Sequence, residues 1–274
     1  MTCYSGIDLH STNSVVVVSD EADRVLYQRR LPNDLPKIRA ALAPYRGELA
    51  GVVVESTYNW YWLIDGLQAA GYAVHLANPA AMKRYEGIKH SGDETDAAYL
   101  AHLLRLKILP TGYICPPAER VVRDLARKRS QLVRIRTAQV LAVENVFARE
   151  RGARLSSNVV KRLEVAGLGE FGLGADVTCS LAANVAVIQA LTAEIGKLEA
   201  RLRERVRLRP QFRALITVPG IGEVLATIIM LETGPIERFA AVGNFASYAR
   251  CVDSQHLSNG KKKGQGNVRN GNRH

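Results

Sequence analysis

The chain has 274 residues, 47% of them hydrophobic and 23% charged, with a formal net charge of +11 at pH 7. Its length allows one large domain or two modest ones, and its four cysteines, far apart and without a Cys-x-x-Cys pair, argue against a zinc site or a disulfide framework. No apolar run reaches the ~20 residues of a membrane span and no signal peptide is apparent, so a cytoplasmic protein of bacterial type is expected, its positive charge suited to a polyanion such as nucleic acid.

Residues 3–9, 15–18 and 24–31 read as strands of a three-stranded antiparallel start, with the turn-forming Ser19-Asp-Glu-Ala-Asp23 between the second and third. Asn33 or Asp34 can cap a helix that has Pro36 in its first turn and runs to about residue 44. Gly51-Val-Val-Val-Glu55 is almost wholly apolar, as expected of a strand buried on both faces. A helix over 58–70, ended by Gly71, and a strand over 73–77 follow. Pro79 and Lys83-Arg84 then lead to a helix over 93–106, opened by Ser91-Gly-Asp-Glu-Thr-Asp-Ala97. The order β-β-β-α-β-α-β-α implies a layered α/β domain.

Four acids fall at telling places in this order. Asp8 ends the first strand, Glu55 ends the fourth, and Asp93 and Asp96 open the late helix three residues apart, so their carboxylates point to one side. Ligands of open α/β sheets bind beyond the carboxyl ends of strands. Carboxylates gathered there can hold two hard divalent cations and position a phosphodiester between them. Singly, each acid is better read as solvated or, like Asp93, as a helix acid stabilised by the dipole. Jointly they are harder to dismiss, because an acid closing a valine-only strand needs a reason.

Cys115-Pro-Pro117 is a natural linker. The helix expected over about 118–151 is basic at its start, with Arg120, Arg123, Arg127, Lys128, Arg129, Arg134 and Arg136 against only Glu119 and Asp124. Such a run is either a solvated charged face or a phosphate-binding one, since phosphates relieve the repulsion among like charges. Gly167, Gly169, Gly172 and Gly174 interrupt the helical pattern, and a second helix is expected over 180–208. Its Leu181, Val185, Ile188, Leu191, Ile195, Leu198 and Leu202 follow coiled-coil spacing. That seam pairs either with the preceding helix or with a second copy of the chain.

Leu215-Ile-Thr-Val-Pro-Gly-Ile-Gly-Glu-Val-Leu-Ala226 reads as a helix-hairpin-helix, in which Gly220 and Gly222 allow a tight turn that offers backbone N–H groups to a phosphate. A plain helix–helix turn is the other reading. The end of the chain carries Lys261, Lys262 and Lys263 among glycines and asparagines, and in isolation it passes for a disordered arm that binds nucleic acid. A serine beside it, Ser258 or Ser254, is either inert or a nucleophile. Three segments are expected: 1–115, 116–210 and 211–274.

Taken in order, GIDLH, VVVES, GDETDA, TVPGIG and SNGKKKG…NGN resemble the DEDD transposases of bacterial insertion sequences, the IS110 group, over essentially the whole chain. The resemblance implies α/β plus all-α architecture: a RuvC-like (ribonuclease-H-like) domain, a coiled-coil insertion and a C-terminal transposase domain. It implies Mg2+ bound by Asp8, Glu55, Asp93 and Asp96, and a serine that forms a covalent link to DNA. Ser258 is the match for that serine, with Ser254 in reserve. It further implies donor and target DNA, a structured bridge RNA that pairs with both, and a homo-oligomer, dimer or tetramer. Two departures stand out. Arg250-Cys-Val-Asp253 replaces the commoner Gly-Leu-x-Pro, and family members continue past the position of His274, so a C-terminally shortened chain is expected. A metal-dependent junction-resolving nuclease and an inactive nucleic-acid-binding fragment are the alternative functions.

Overall fold

The structure, a computed structural model, describes residues 1–82, 92–252, 255–265 and 272. The chain divides into two compact units, residues 1–115 with 246–271 and residues 116–245 with 272–274, where the sequence suggests three consecutive segments.

The first unit is built on a five-stranded mixed sheet. Its strands are β1 (Cys3–Leu9), β2 (Asn13–Asp20), β3 (Val25–Pro32), β4 (Leu49–Glu55) and β5 (Val74–Ala77), in the spatial order β3-β2-β1-β4-β5. The first three pair antiparallel, as expected, while β4 and β5 add in parallel. Between them run α1 (Leu35–Leu42) and α2 (Tyr61–Ala69). Asp34 caps α1 by accepting the Lys37 N–H at 3.0 Å, with Pro36 in the first turn. The short α3 (Pro79–Met82) precedes α4 (Asp93–Arg105). This order and pairing are compatible with a ribonuclease-H-like fold.

Alternation along the strands assigns the two faces. Cys3, Ile7, Leu9, Val16, Val18, Val52 and Val54 join Ile38, Leu42, Leu63, Ile64 and Leu67 of α1 and α2 in one core. The opposite face is covered by α4, whose Ala97 packs on Val15 and Val17 and whose Leu100 packs on Val53 and Ala77. Strands β1, β2 and β4 are therefore covered on both faces, which explains the unbroken valine runs of β2 and β4, while the edge strand β3 stays largely exposed.

The second unit is helical. Its main members are α5 (Pro117–Arg151) and α7 (Ala175–Val206), joined through α6 (Ser157–Val160) and a 3-10 turn over Val165–Phe171. Gly152, in the left-handed conformation, ends α5 as a C-cap. Arg129 meets Glu199, Arg136 meets Thr192 and Gln139 meets Asn184, so the helices run antiparallel. The predicted seam is largely covered by this pairing. Leu181, Val185 and Ile188 are buried against Val140, Val143 and Phe147 of the same chain, and Leu202 against Val122 and Ala126. Although α7 is long and apolar enough by composition to cross a membrane, its apolar stripe is what packs on α5.

Next come α8 (Pro210–Leu215), α9 (Glu223–Thr233) and α10 (Val242–Tyr248). Phe212, Ala226, Met230 and Leu231 complete a core with Val122 and Val206. Finally β6 (Gln255–Ser258) and β7 (Lys261–Gln265) pair antiparallel. The lysine-rich start of the tail is thus the second strand of a hairpin rather than a featureless arm over Lys261–Gln265. Asn259 and Gly260 both have positive φ, 52° and 71°, the pair that a two-residue hairpin turn requires.

Candidate functional site

Parallel pairing of β1 with β4 sets Ile7 opposite Val54. The next residues, Asp8 and Glu55, therefore stand side by side where both strands end, facing α4 by alternation. Glu55 acts on the Asp8 carboxyl as a close hydrogen-bonding neighbour. Asp8 is 4% exposed. Burial pushes its carboxyl above the ordinary range and the charges of Asp96 and Asp93 push the same way, against the Glu55 hydrogen bond and the nearby His10 imidazole. Asp8 and Asp93, from separate stretches, thus come within ligand reach of one another, and Glu55 and Asp96 are near enough to act on the Asp8 carboxyl.

The approach of α4 depends on Gly6, two residues before Asp8 on the same face. A Cβ there would collide with the backbone carbonyl of Ala97, so α4 lies directly on the β1 backbone. Its first turn, with Asp93, Glu94 and Asp96, is thereby held beside Asp8. The edge strand β3 fixes that turn. Arg30 Nη2 donates to Asp93 Oδ2 at 2.5 Å, and Gln28 Nε2 donates to Glu94 Oε2 at 2.6 Å. The register explains why Arg30 can reach: it pairs with Val15, which pairs with Asp8. Its guanidinium is the main cause holding the Asp93 carboxyl below the usual carboxylate range.

His10 was not singled out by sequence reasoning, yet it sits inside this group. Its Nε2 lies 3.2 Å from Asp8 Oδ2 and 3.4 Å from Asp93 Oδ2. The ligand atoms of Asp8, His10 and Asp93 all fall within 4.8 Å of one another. The available signal was the two-residue strand period, which sets His10 on the face of Asp8. Arg30 was legible only through strand register, which spacing alone does not supply.

The basic run of α5 is used differently from the expectation of one phosphate-binding face. Arg120 and Arg123 are buried, 3% and 9% exposed. Arg127 donates to both carboxylate oxygens of Glu232 at 2.6 and 2.7 Å, and Arg129 donates to Glu199 at 2.6 Å. Lys128 is exposed beside them. Long-range carboxylates, not phosphates, answer the repulsion that the sequence reveals for Arg127 and Arg129. Around residues 216–222 the chain turns between α8 and α9. Gly220 has φ +87° and Gly222 is the N-cap of α9, whose first-turn N–H groups lack intrahelical acceptors. Glu223 in that turn is held by Arg203 at 2.9 Å. Lys261 is exposed and pairs with Ser258 across the hairpin turn; Lys262 and Lys263 follow in β7. Ser254 lies outside the described residues.

Comparison with known families identifies the chain at the level of its family. A search of curated protein sequences finds no match. A DEDD transposase family model, that of the IS110 transposases, matches residues 5–149, and the model of the IS116/IS110/IS902 family transposases matches residues 212–274. The first match spans more than half of the chain and takes in all four acids. The chain belongs to the IS110 family of transposases, and is a DNA transposase/recombinase.

Proposed function

We propose that the protein is an insertion-sequence transposase, guided by a structured RNA, that cuts and rejoins DNA with Mg2+-binding carboxylates and a serine nucleophile. The observation that supports this reading is that Asp8 and Glu55 follow the paired residues Ile7 and Val54 at the carboxyl ends of β1 and β4, with a carboxylate oxygen of Asp93 from α4 in ligand reach of Asp8. The DEDD family implies a divalent metal, and the residues fit one. A buried carboxyl crowded by like charges, as Asp8 is, leaves negative charge that a hard cation with oxygen ligands neutralises. Asp8, Glu55, Asp93 and Asp96 would hold it. Such a cation supplies positive charge to the oxygens of a phosphodiester under attack.

Ser258 Oγ, with Ser254 in reserve, attacks a DNA phosphorus. The new P–O bond forms as the bond to the deoxyribose oxygen breaks, and that oxygen leaves with the proton that serine gives up. Rejoining is the reverse with a different strand: its hydroxyl attacks the phosphoserine and serine regains a proton. One ester replaces another, so no hydrolysis intervenes. Gly220 and Gly222, read as a helix-hairpin-helix turn, together with Lys128, Lys261, Lys262 and Lys263, contact phosphates without reading sequence. Donor and target are then specified by RNA pairing. Because the α7 seam is largely occupied by α5, assembly into a dimer or tetramer uses other surfaces.

The test is to trap a covalent protein–DNA adduct with Mg2+ and the element's RNA. Its loss in Ser258→Ala supports the reading. Persistence in that variant but loss in Ser254→Ala moves the nucleophile. Metal-dependent cleavage without any adduct would favour a nuclease that uses activated water.

A further inference from the structure

We propose that His10 is itself a cation ligand, giving the site one nitrogen donor and hence a preference for Mn2+ over Mg2+. This rests on the reading of the acids as metal-binding.

Three observations carry it. First, His10 Nε2 is shielded from solvent and, among the described residues, makes no well-aligned hydrogen bond, although carboxylate oxygens of Asp8 and Asp93 stand 3.2 and 3.4 Å away. Ligand atoms at right angles about a cation with bonds of ~2.1 Å stand about 3 Å apart, so these separations suit one shared ion. Second, the backbone of His10 is fixed from three directions. Its N–H donates to Asn13 O at 2.9 Å, and its carbonyl accepts from Asn33 Nδ2 and Asn59 Nδ2, both at 3.0 Å. Third, those two amides are themselves oriented. Asn33 Oδ1 accepts from Ser14 at 2.7 Å and Asn59 Oδ1 accepts from Thr57 at 2.9 Å. An imidazole needed only as a loose surface cation has no use for such support. Outer groups that orient a ligand are what a metal site requires.

The chemistry follows from the donor set. Mg2+ takes oxygen ligands and gives up its waters reluctantly, whereas imidazole suits transition metals, of which Mn2+ also accepts carboxylates. Arg30, on Asp93 Oδ2 at 2.5 Å, gives up that oxygen when the ion binds.

The experiment uses the full chain loaded with Mn2+ and read by electron spin-echo modulation and by competition with Mg2+. Wild type is expected to show 14N modulation from a bound imidazole and to bind Mn2+ more tightly than Mg2+ by about ten-fold or more. His10→Gln should lose both while keeping its Mg2+ affinity. His10→Asp, which exchanges nitrogen for oxygen, should turn the preference towards Mg2+. Mn2+ binding that Asp8→Asn abolishes, but with no 14N modulation in wild type or with modulation surviving in His10→Gln, would overturn the role of His10 and leave the acids in place. Mn2+ binding indifferent to Asp8→Asn, or absent, would overturn both.

Discussion

Gly6 and Ala97 are in backbone contact: a Cβ on the glycine would occupy the position of the Ala97 carbonyl oxygen. This contact couples packing to chemistry, because the same helix turn that lies on β1 brings Asp93 and Asp96 to Asp8. A backbone oxygen inside a helix cannot swing aside as a side chain can. Gly6→Ala is therefore expected to push α4 outward and cost about 1–3 kcal/mol, the usual range for overpacking. Urea midpoints measure the cost, and DNA cleavage should fall further than the lost stability explains. A midpoint equal to that of wild type would show that the contact is not required.

Asp8→Asn should separate function from stability in the opposite direction. The amide is nearly isosteric but removes the buried Asp8 carboxyl from among the charges of Asp93 and Asp96. Metal-free Asp8→Asn is expected to be as stable as wild type or more so, by up to about 2 kcal/mol, while metal-dependent strand cleavage disappears and RNA binding persists. Full cleavage activity in this variant would remove Asp8 from the metal site.

The sheet was legible because its signals are local. Valine runs, Asp34 with Pro36, and Gly71 mark ends and caps within a few residues of where they act. The neighbouring positions of Asp8 and Glu55 are legible for a related reason, since the ends of paired parallel strands lie side by side once the strand order is right. His10 was passed over because a histidine two residues from a carboxylate carries no composition signal. Its role depends on Asn33 and Asn59, which are 23 and 49 residues away. The partners of Arg127 and Arg129 are hidden from the sequence for the same physical reason. Their partners Glu232 and Glu199 lie 105 and 70 residues off, and local charge density cannot distinguish a helix that repels itself from one whose countercharges arrive from other helices. The hairpin at Asn259-Gly260 was legible in principle, but glycine- and lysine-rich flanks masked the turn.

Lys128 and Arg127 are adjacent in sequence and should behave oppositely. Lys128 is exposed, so Lys128→Ala is expected to weaken DNA or RNA binding and lower the slope of log K against log salt by about 0.7–0.9, the value of one phosphate contact. Its unfolding midpoint should not change. Arg127→Ala takes from Glu232 its bidentate guanidinium partner, so stability is expected to fall by about 1.5–3 kcal/mol, with the salt slope unchanged. Filter binding across a salt series, beside denaturant melts, measures both. A salt slope that falls in Arg127→Ala would return that arginine to the nucleic-acid interface.

Glu232 makes the helical unit acid-sensitive. Burial opposes its ionisation, but the hydrogen bonds from Arg127 and Asn272 outweigh that and hold the carboxyl below the ordinary glutamate value. The sign follows directly. As pH falls through the ordinary value of 4.5, the unfolded chain takes up a proton before the folded one does. Stability contributed by Glu232 is therefore complete above that pH and is lost progressively as pH drops towards the depressed folded value. Glu232→Gln should flatten this acid limb while lowering stability at neutral pH, where Arg127 loses its countercharge. Unfolding midpoints from pH 7 to pH 3 measure the difference. An acid limb equally steep in Glu232→Gln would assign the sensitivity to another carboxylate, with Glu199 beside Arg129 the next to examine.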